Sequence, residues 1–296
     1  MEPQKNRAQL MDPKNDLVFK YYFSKPKNKS ILISFIEAVI EPESPIEDLE
    51  VLNPTVEQDA LEDKISILDL KVKLKNGSFI DVEMQVARTN YFRNRILYYW
   101  SKLHGSQLKV GSSYKEINPT ISICVLGYKE FDDNDDELHS IFVVKEKFRN
   151  TLLNSDLEIH FLELPKYKKW RRKADHKNLD YWTRFLELKN ASESEIEELK
   201  KEPEMDKAIK ALEEVSQVAR LKELVELREK NQFAYNADMK EQFIEGKAEG
   251  IEQGVELGLK QGLNQGINQE RTLLIKKRSE KRVNSGNDLK SLRNPD

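Results

Sequence analysis

Two alternating apolar runs flank an Asn76-Gly77 dipeptide, and their phase restricts the chain to few folds. Over 64–74 (KISILDLKVKL) the apolar positions include Leu68, Leu70, Val72 and Leu74; over 78–86 (SFIDVEMQV) they are Ile80, Val82, Met84 and Val86. Successive side chains of a strand point to opposite faces, and Asn-Gly between two such runs is a strong hairpin signal. Both apolar sets are even-numbered. Residues opposite each other across a ladder share a face, so both sets reach one core only if paired numbers sum to an even value. A two-residue turn at Asn76-Gly77 gives an odd sum, whereas a three-residue loop over 76–78, or a turn with one bulge, gives 154. That register sets Asp69 opposite Gln85, with Glu83 as diagonal neighbour and Asp81, Lys71 and Lys73 on the same face.

Carboxylates within roughly 5–8 Å on adjacent strands can share a divalent cation. Mg²⁺ favours one or two carboxylates, waters and substrate phosphate oxygens over an all-protein cage. Such an ion activates water and stabilises a phosphodiester transition state. Half-exposed hairpins also carry acids, amides and lysines on a wet face for solubility alone. Periodicity leaves both readings open.

The order of elements around the hairpin predicts a mixed α/β domain. Helical spacing over 16–23 (DLVFKYYF) and 30–40 (SILISFIEAVI) gives two short helices, the second ended by Pro42 and Pro45. A long amphipathic helix is expected over 93–110 and a buried strand over 120–128, with further strands at 140–144 and 157–164. Cys124, the single cysteine, lies in the apolar run at 120–127, so no intramolecular disulfide can form and a buried thiol is expected. His104, His139, His160 and His176 have no metal-ligand spacing, and neither a phosphate-binding P-loop nor a G-x-S-x-G elbow is present. Without a leader-like N-terminus or an apolar run long enough for a bilayer, a cytoplasmic protein is expected.

Five collinear segments carry a likeness to a known family. MDPKNDLVFKYYF at 11–23, ILDLKVK at 67–73, DVEMQ at 81–85, LYYWSKLHGSQLKVGSSY at 97–114 and LEIHFLELPK at 157–166 resemble the Rpn family of recombination-promoting nucleases and transposases, within the PD-(D/E)XK superfamily. The resemblance implies a restriction-endonuclease-like αβββαβ core with a mixed central sheet, followed by an all-helical C-terminal extension. It also implies cleavage of DNA with Mg²⁺ or Mn²⁺. Asp69 matches the metal-binding strand Asp, Glu83 the (D/E) ligand, and Asp16 a further acidic residue on the first helix. Gln85 stands where the signature has Lys, and a neutral amide can hydrogen-bond but cannot offset developing charge. Lys71 or Lys73 is a candidate source of that charge from the neighbouring strand.

A net charge of -3 confines any DNA contact to a local basic patch. Arg93, Arg95 and Lys102 on the 93–110 helix are candidates, as are Lys168, Lys169, Arg171 and Arg172 in a denser run that includes Lys166. The domain organisation read from composition is a disordered 1–10, a nuclease-like domain over 11–170, a helical region over 171–270 and a basic, disordered tail over 271–296. Six of eleven glycines fall at positions 246, 250, 254, 258, 262 and 266. Each costs about 1 kcal/mol in a helix relative to alanine, so this stretch needs a packing partner, and self-association into a homo-oligomer is the preferred reading. The leading expectation is a Mg²⁺-dependent DNA endonuclease acting on mobile or invading DNA, or promoting recombination. The rival is a weak or inactive descendant that binds DNA or a protein partner through its helical tail.

Overall fold

The computed structural model describes residues 10–53, 70–131, 136–170 and 176–291, with side chains through residue 279. Asp69, Arg171, Arg172, the N-terminal 1–9 and the final 292–296 lie outside the described residues.

Helix α1 (Asp16–Phe23) starts at Asn15, whose side chain accepts from the amides of Leu17 and Val18 and satisfies two otherwise orphaned donors. Helix α2 (Lys29–Ile40) ends at Glu41, which adopts a left-handed conformation at φ 44°, immediately before Pro42. Strands β1 (Leu49–Val51), β2 (Leu70–Leu74) and β3 (Phe79–Gln85) follow, then α3 (Phe92–Gly105), β4 (Thr120–Leu126), β5 (His139–Val143) and β6 (Leu157–Glu163). They form one mixed sheet in the order β1-β2-β3-β4-β6-β5. The β1–β2–β3 part is antiparallel, β3, β4 and β6 run parallel, and β5 returns antiparallel on the far edge. This is the restriction-endonuclease-like mixed sheet that the resemblance implied. β1, only three residues long, has too short an alternation to stand out in the sequence.

The hairpin parity holds, but its register differs by two residues. Leu70 pairs with Val82, Val72 with Ile80 and Lys73 with Phe79, each pair summing to 152. The three-residue loop is 75–77: Gly77 ends it at φ +95°, its amide bonds to the Leu74 carbonyl at 2.9 Å, and Leu74 N–H donates to Ser78 O at 2.8 Å. A three-residue hairpin needs its last loop residue in the left-handed region, so Gly77 closes the loop and draws the partner strand inward. A Cβ there would also lie 2.6 Å from Asn118 Oδ1. The expected pairing of Asp69 with Gln85 involves a residue outside those described.

The even face of β2 and β3 (Leu70, Val72, Leu74, Ile80, Val82, Met84) is buried against α1 and α2. The same core takes in α5 (Lys177–Leu186), α6 (Glu193–Leu199) and α7 (Pro203–Val215), numbered after the short α4 (Tyr167–Trp170). Phe19, Phe23, Phe35, Trp182 and Phe185 pack as a chain of rings with centroid separations of 4.7–6.1 Å. Tyr22 donates its buried hydroxyl to the Ala208 carbonyl at 2.8 Å, tying α1 to α7. A boundary at residue 170 therefore differs from the packing: one compact unit spans Met1–Arg228, because the apolar stripes of α5 to α7 complete the core begun by α1 and α2.

Helix α8 (Ala219–Ser291) buries Leu221 and Leu224 in that first unit. In the second unit, Glu229–Asp296, this helix continues to Ser291, with every described side chain from 229 to 279 exposed. It runs through all six repeat glycines, and a Cβ on any of them would meet nothing within 4 Å. Helix also continues through the basic segment to Ser291, where loss of order was expected; Lys, Arg and Glu are good helix formers, and they outweigh the weak apolar periodicity.

Phe185→Ala is expected to lower unfolding stability by about 3–5 kcal/mol and to shift the sheet and the helices together in a single urea transition. Two separated transitions, with only a helical fraction destabilised, would contradict the shared core.

Candidate active site

Glu83 and Gln85 lie on β3, the strand at which antiparallel pairing with β2 changes to parallel pairing with β4. Strand alternation sends both to the odd face. In most hairpins that face would be wet, but here α3 covers it: Phe92 and Ile96 pack with Cys124, Leu126, Ile159 and Phe161 into a second core cluster. Glu83 is consequently 9% exposed and Asp81 fully buried, with Lys71 paired to Asp81 across the hairpin. Acidic side chains under a helix are costly to desolvate unless partnered, so a bland solubility face does not describe this surface.

The partner of Glu83 comes from α3. Arg95 Nη2 donates to Glu83 Oε1 and, at 2.6 Å, to Gln85 Oε1, while Gln85 Nε2 donates to the Ala87 carbonyl at 2.6 Å. Arg95 thus spans the (D/E) and Lys positions of the signature. Neither lysine of β2 lies opposite Gln85: Lys71 sits opposite Asp81, and Lys73 opposite Phe79, its ammonium 5.4 Å from the centroid of that ring. Reading α3 as a basic face for phosphates obscured the part played by Arg95. The signal was its place in the stripe Phe92–Ile96–Tyr99–Leu103, where i, i+3 and i+4 spacing turns residue 95 toward the sheet.

At the carboxyl ends of the parallel strands Gln85, Leu126 and Glu163 are in register. Gly127 N–H donates to the Gln85 carbonyl at 2.9 Å, and a Cβ on Gly127 would come within 3.1 Å of Val86 Cα, so only glycine fits without displacing the end of β3. Glu163, 0% exposed, accepts from the amides of Glu130 and Phe131 at 2.7 and 3.1 Å and pairs with the buried ammonium of Lys166 at 2.8 Å. Arg93 donates to Glu130 Oε1 and to the Glu130 carbonyl, both at 2.6 Å, and its guanidinium lies 4.7 Å from the centroid of the Phe131 ring. These contacts fix the loop after β4 beside the Glu83 face. Burial, and then the nearby Glu83 and Asp81 carboxylates, push the Cys124 thiol well above its usual range, so it remains protonated.

The other sequence-predicted residues are dispersed. Asp16 forms an ion pair with Arg228 at 2.8 Å. Lys102 is exposed beside Tyr98, Lys168 is exposed, and Lys169 pairs with Asp136 at 2.9 Å. Lys166, the first member of the basic run, is inside the protein and unavailable to phosphate. Carboxylate oxygens are the hard donors that Mg²⁺ and Mn²⁺ take, so Glu83 suits either ion. Among the described residues no group of three His, Cys, Asp or Glu is placed to hold a metal.

Removing one member of a buried pair leaves the other charge uncompensated, at about 3–5 kcal/mol. Lys166→Met is therefore expected to destabilise the protein by about that much in urea unfolding. Glu163→Gln introduced alongside should recover part of the loss, and an unchanged midpoint for Lys166→Met would show that the pair does not hold the loop.

The profile of a family described as PD-(D/E)XK nuclease family transposase matches residues 13–242, well over half of the chain. No curated protein and no solved structure matches it. The match starts just before α1 and ends beyond Arg228, so it takes in α5 to α7 together with the sheet. With this match, the mixed sheet and the Glu83–Met84–Gln85 segment on its central strand, the chain belongs to the PD-(D/E)XK nuclease family of transposases.

Proposed function

We propose that this protein is a DNA endonuclease that uses Mg²⁺ or Mn²⁺ and acts on mobile or invading DNA or promotes recombination. The observation that carries the reading is Glu83: a carboxylate under α3 on the central strand, charge-paired to an arginine that also holds Gln85. A buried ion pair kept for structure alone could be replaced as a whole by apolar residues at little cost, whereas a metal ligand facing a phosphate must remain ionised. The metal would supply activated water and charge stabilisation at the phosphodiester. Glu83 would bind it together with Asp69, the residue before Leu70, whose own partner Val82 adjoins Glu83. Gln85, tied at both ends, would hold the arginine in place and keep one amide N–H for water or phosphate. Asp16 would join only if its ion pair with Arg228 opened. Lys102, Lys168, Lys169, Arg93, Arg171 and Arg172 are the proposed backbone contacts for DNA, in keeping with phosphate binding by local basic groups.

Supercoiled plasmid incubated with wild type and Mg²⁺ is expected to be nicked or linearised, and EDTA should stop the reaction. Asp69→Ala and the isosteric Glu83→Gln should each reduce the rate on the order of 100-fold or more. An inactive wild type, or variants that cut as well as wild type, would overturn the reading in favour of a binding protein.

We further propose that the second unit pairs two copies of the chain. Ile251, Val255, Leu259, Leu263 and Ile267 are exposed at four-residue intervals, each directly after a repeat glycine. A four-residue period drifts about 40° per step on a 3.6-residue helix, which winds apolar and glycine stripes side by side. No helix among the described residues is long and apolar enough to cross a membrane. Sedimentation of the full chain should give a dimer or higher species, and Leu259→Glu with Leu263→Glu should return it to a monomer. A wild type that sediments as a monomer at tens of micromolar would contradict the pairing.

A further inference from the structure

Arg95 has more hydrogen-bonding capacity than its two partners use. Its Nη2 serves Glu83 and Gln85, but its Nε is buried and makes no hydrogen bond among the described residues. An unmet N–H on a buried, permanently charged group is costly and calls for a missing acceptor. The side chain is sandwiched along α3, its guanidinium 5.1 Å from the Phe92 ring centroid and 6.0 Å from that of Tyr99, which fixes its direction toward the sheet. The side chain as a whole is not sealed off: 19% of it is exposed, although Nε itself is covered, so a ligand would meet the outer part of the guanidinium first. A guanidinium presents a planar fork of donors that matches two oxygens of a phosphate.

We infer that Arg95 is the phosphate-facing cation of this site, carrying from α3 the charge that a lysine at position 85 would carry from β3. The inference rests on the nuclease reading above. Glu83 and Gln85 take the hydrogens of Nη2, and the remaining guanidinium N–H groups, on Nε and Nη1, are left for non-bridging phosphate oxygens of the scissile group. Charge is thereby placed beside the reacting phosphorus without a lysine in the signature, and Gln85 acts as the bracket that aims it.

The test combines plasmid cleavage with calorimetric titration of Mn²⁺ on the full chain, using wild type, R95Q, R95K and the double variant R95Q/Q85K. R95Q is expected to cut on the order of 100-fold more slowly while binding Mn²⁺ at least as tightly as wild type, because Glu83 is freed from its competing cation. R95Q/Q85K, with the charge returned to the strand, should regain about 10-fold or more of the lost rate. Equal cleavage by R95Q and wild type would overturn the inference alone. So would a double variant as slow as R95Q, or loss of Mn²⁺ binding in R95Q, since either marks a structural role. If R95Q does not fold, R95K decides: it keeps the charge without the fork and should cut about 10-fold more slowly at unchanged Mn²⁺ affinity, and unchanged cleavage would overturn the inference. A wild type that binds Mn²⁺ but cuts nothing overturns the nuclease reading, and this inference with it.

Discussion

Strand β3 is buried on both faces, and the rest of the molecule follows from how its two sides are covered. On the even side Ile80, Val82 and Met84 are apolar and meet α1 and α2. On the odd side the same seven-residue strand carries Asp81, Glu83 and Gln85, and α3 lies over them. Burying carboxylates opposes folding unless an opposite charge comes with the covering element. Arg95 brings that charge from α3, so the helix that would otherwise make this face unfavourable is the one that makes it tenable.

The carboxyl ends of the parallel strands repeat the solution. Glu163 ends β6 inside the protein, with Lys166 on its side chain and the amides of the loop after β4 donating to it. Arg93, one helical turn from Ile96, fastens the same loop through Glu130. Two arginines two residues apart on α3 thus point to different carboxylates, Glu83 and Glu130, and tie the helix to the sheet at two points. Preorganised charges of this kind need no rearrangement when a charged ligand enters, which is the condition for strong electrostatic stabilisation in a site. Solvent-exposed pairs elsewhere, such as Lys29–Asp48 and Lys75–Glu47, contribute little by comparison.

The helices after the sheet are part of the same body. α1 and α2 expose a wide aromatic surface on the side away from β3, and Trp182 and Phe185 fill it. The second unit has no such surface of its own. Six glycines along one helix cost about 1 kcal/mol each, and a Cβ built at any of them would meet nothing within 4 Å among the described residues.

The sequence alone determined the alternation of β2 and β3, the two short helices α1 and α2 with the proline stop after the second, the mixed α/β order and the family likeness, because each depends on residues close together in the chain. Parity of the hairpin was readable from Leu70 to Met84, since a face inverts with every single-residue shift. Its register was not: a shift of two residues keeps the parity, and the choice fell to the left-handed Gly77 and to the close approach of Asn118, far away in sequence. The Glu83–Met84–Gln85 pattern was legible, but its burial was not, because the helix that covers it folds over from residues 92–105. Local spacing offered Arg95 as one basic residue among several; only the packing of α3 on β3 decided that it faces Glu83 and Gln85. Likewise the composition shift near residue 170 marked the end of the strands, while membership of α5 to α7 in the first unit was decided by apolar surface that α1 and α2 leave uncovered. Alternation and capping are local properties of a chain, whereas desolvation is a property of everything that packs around a residue.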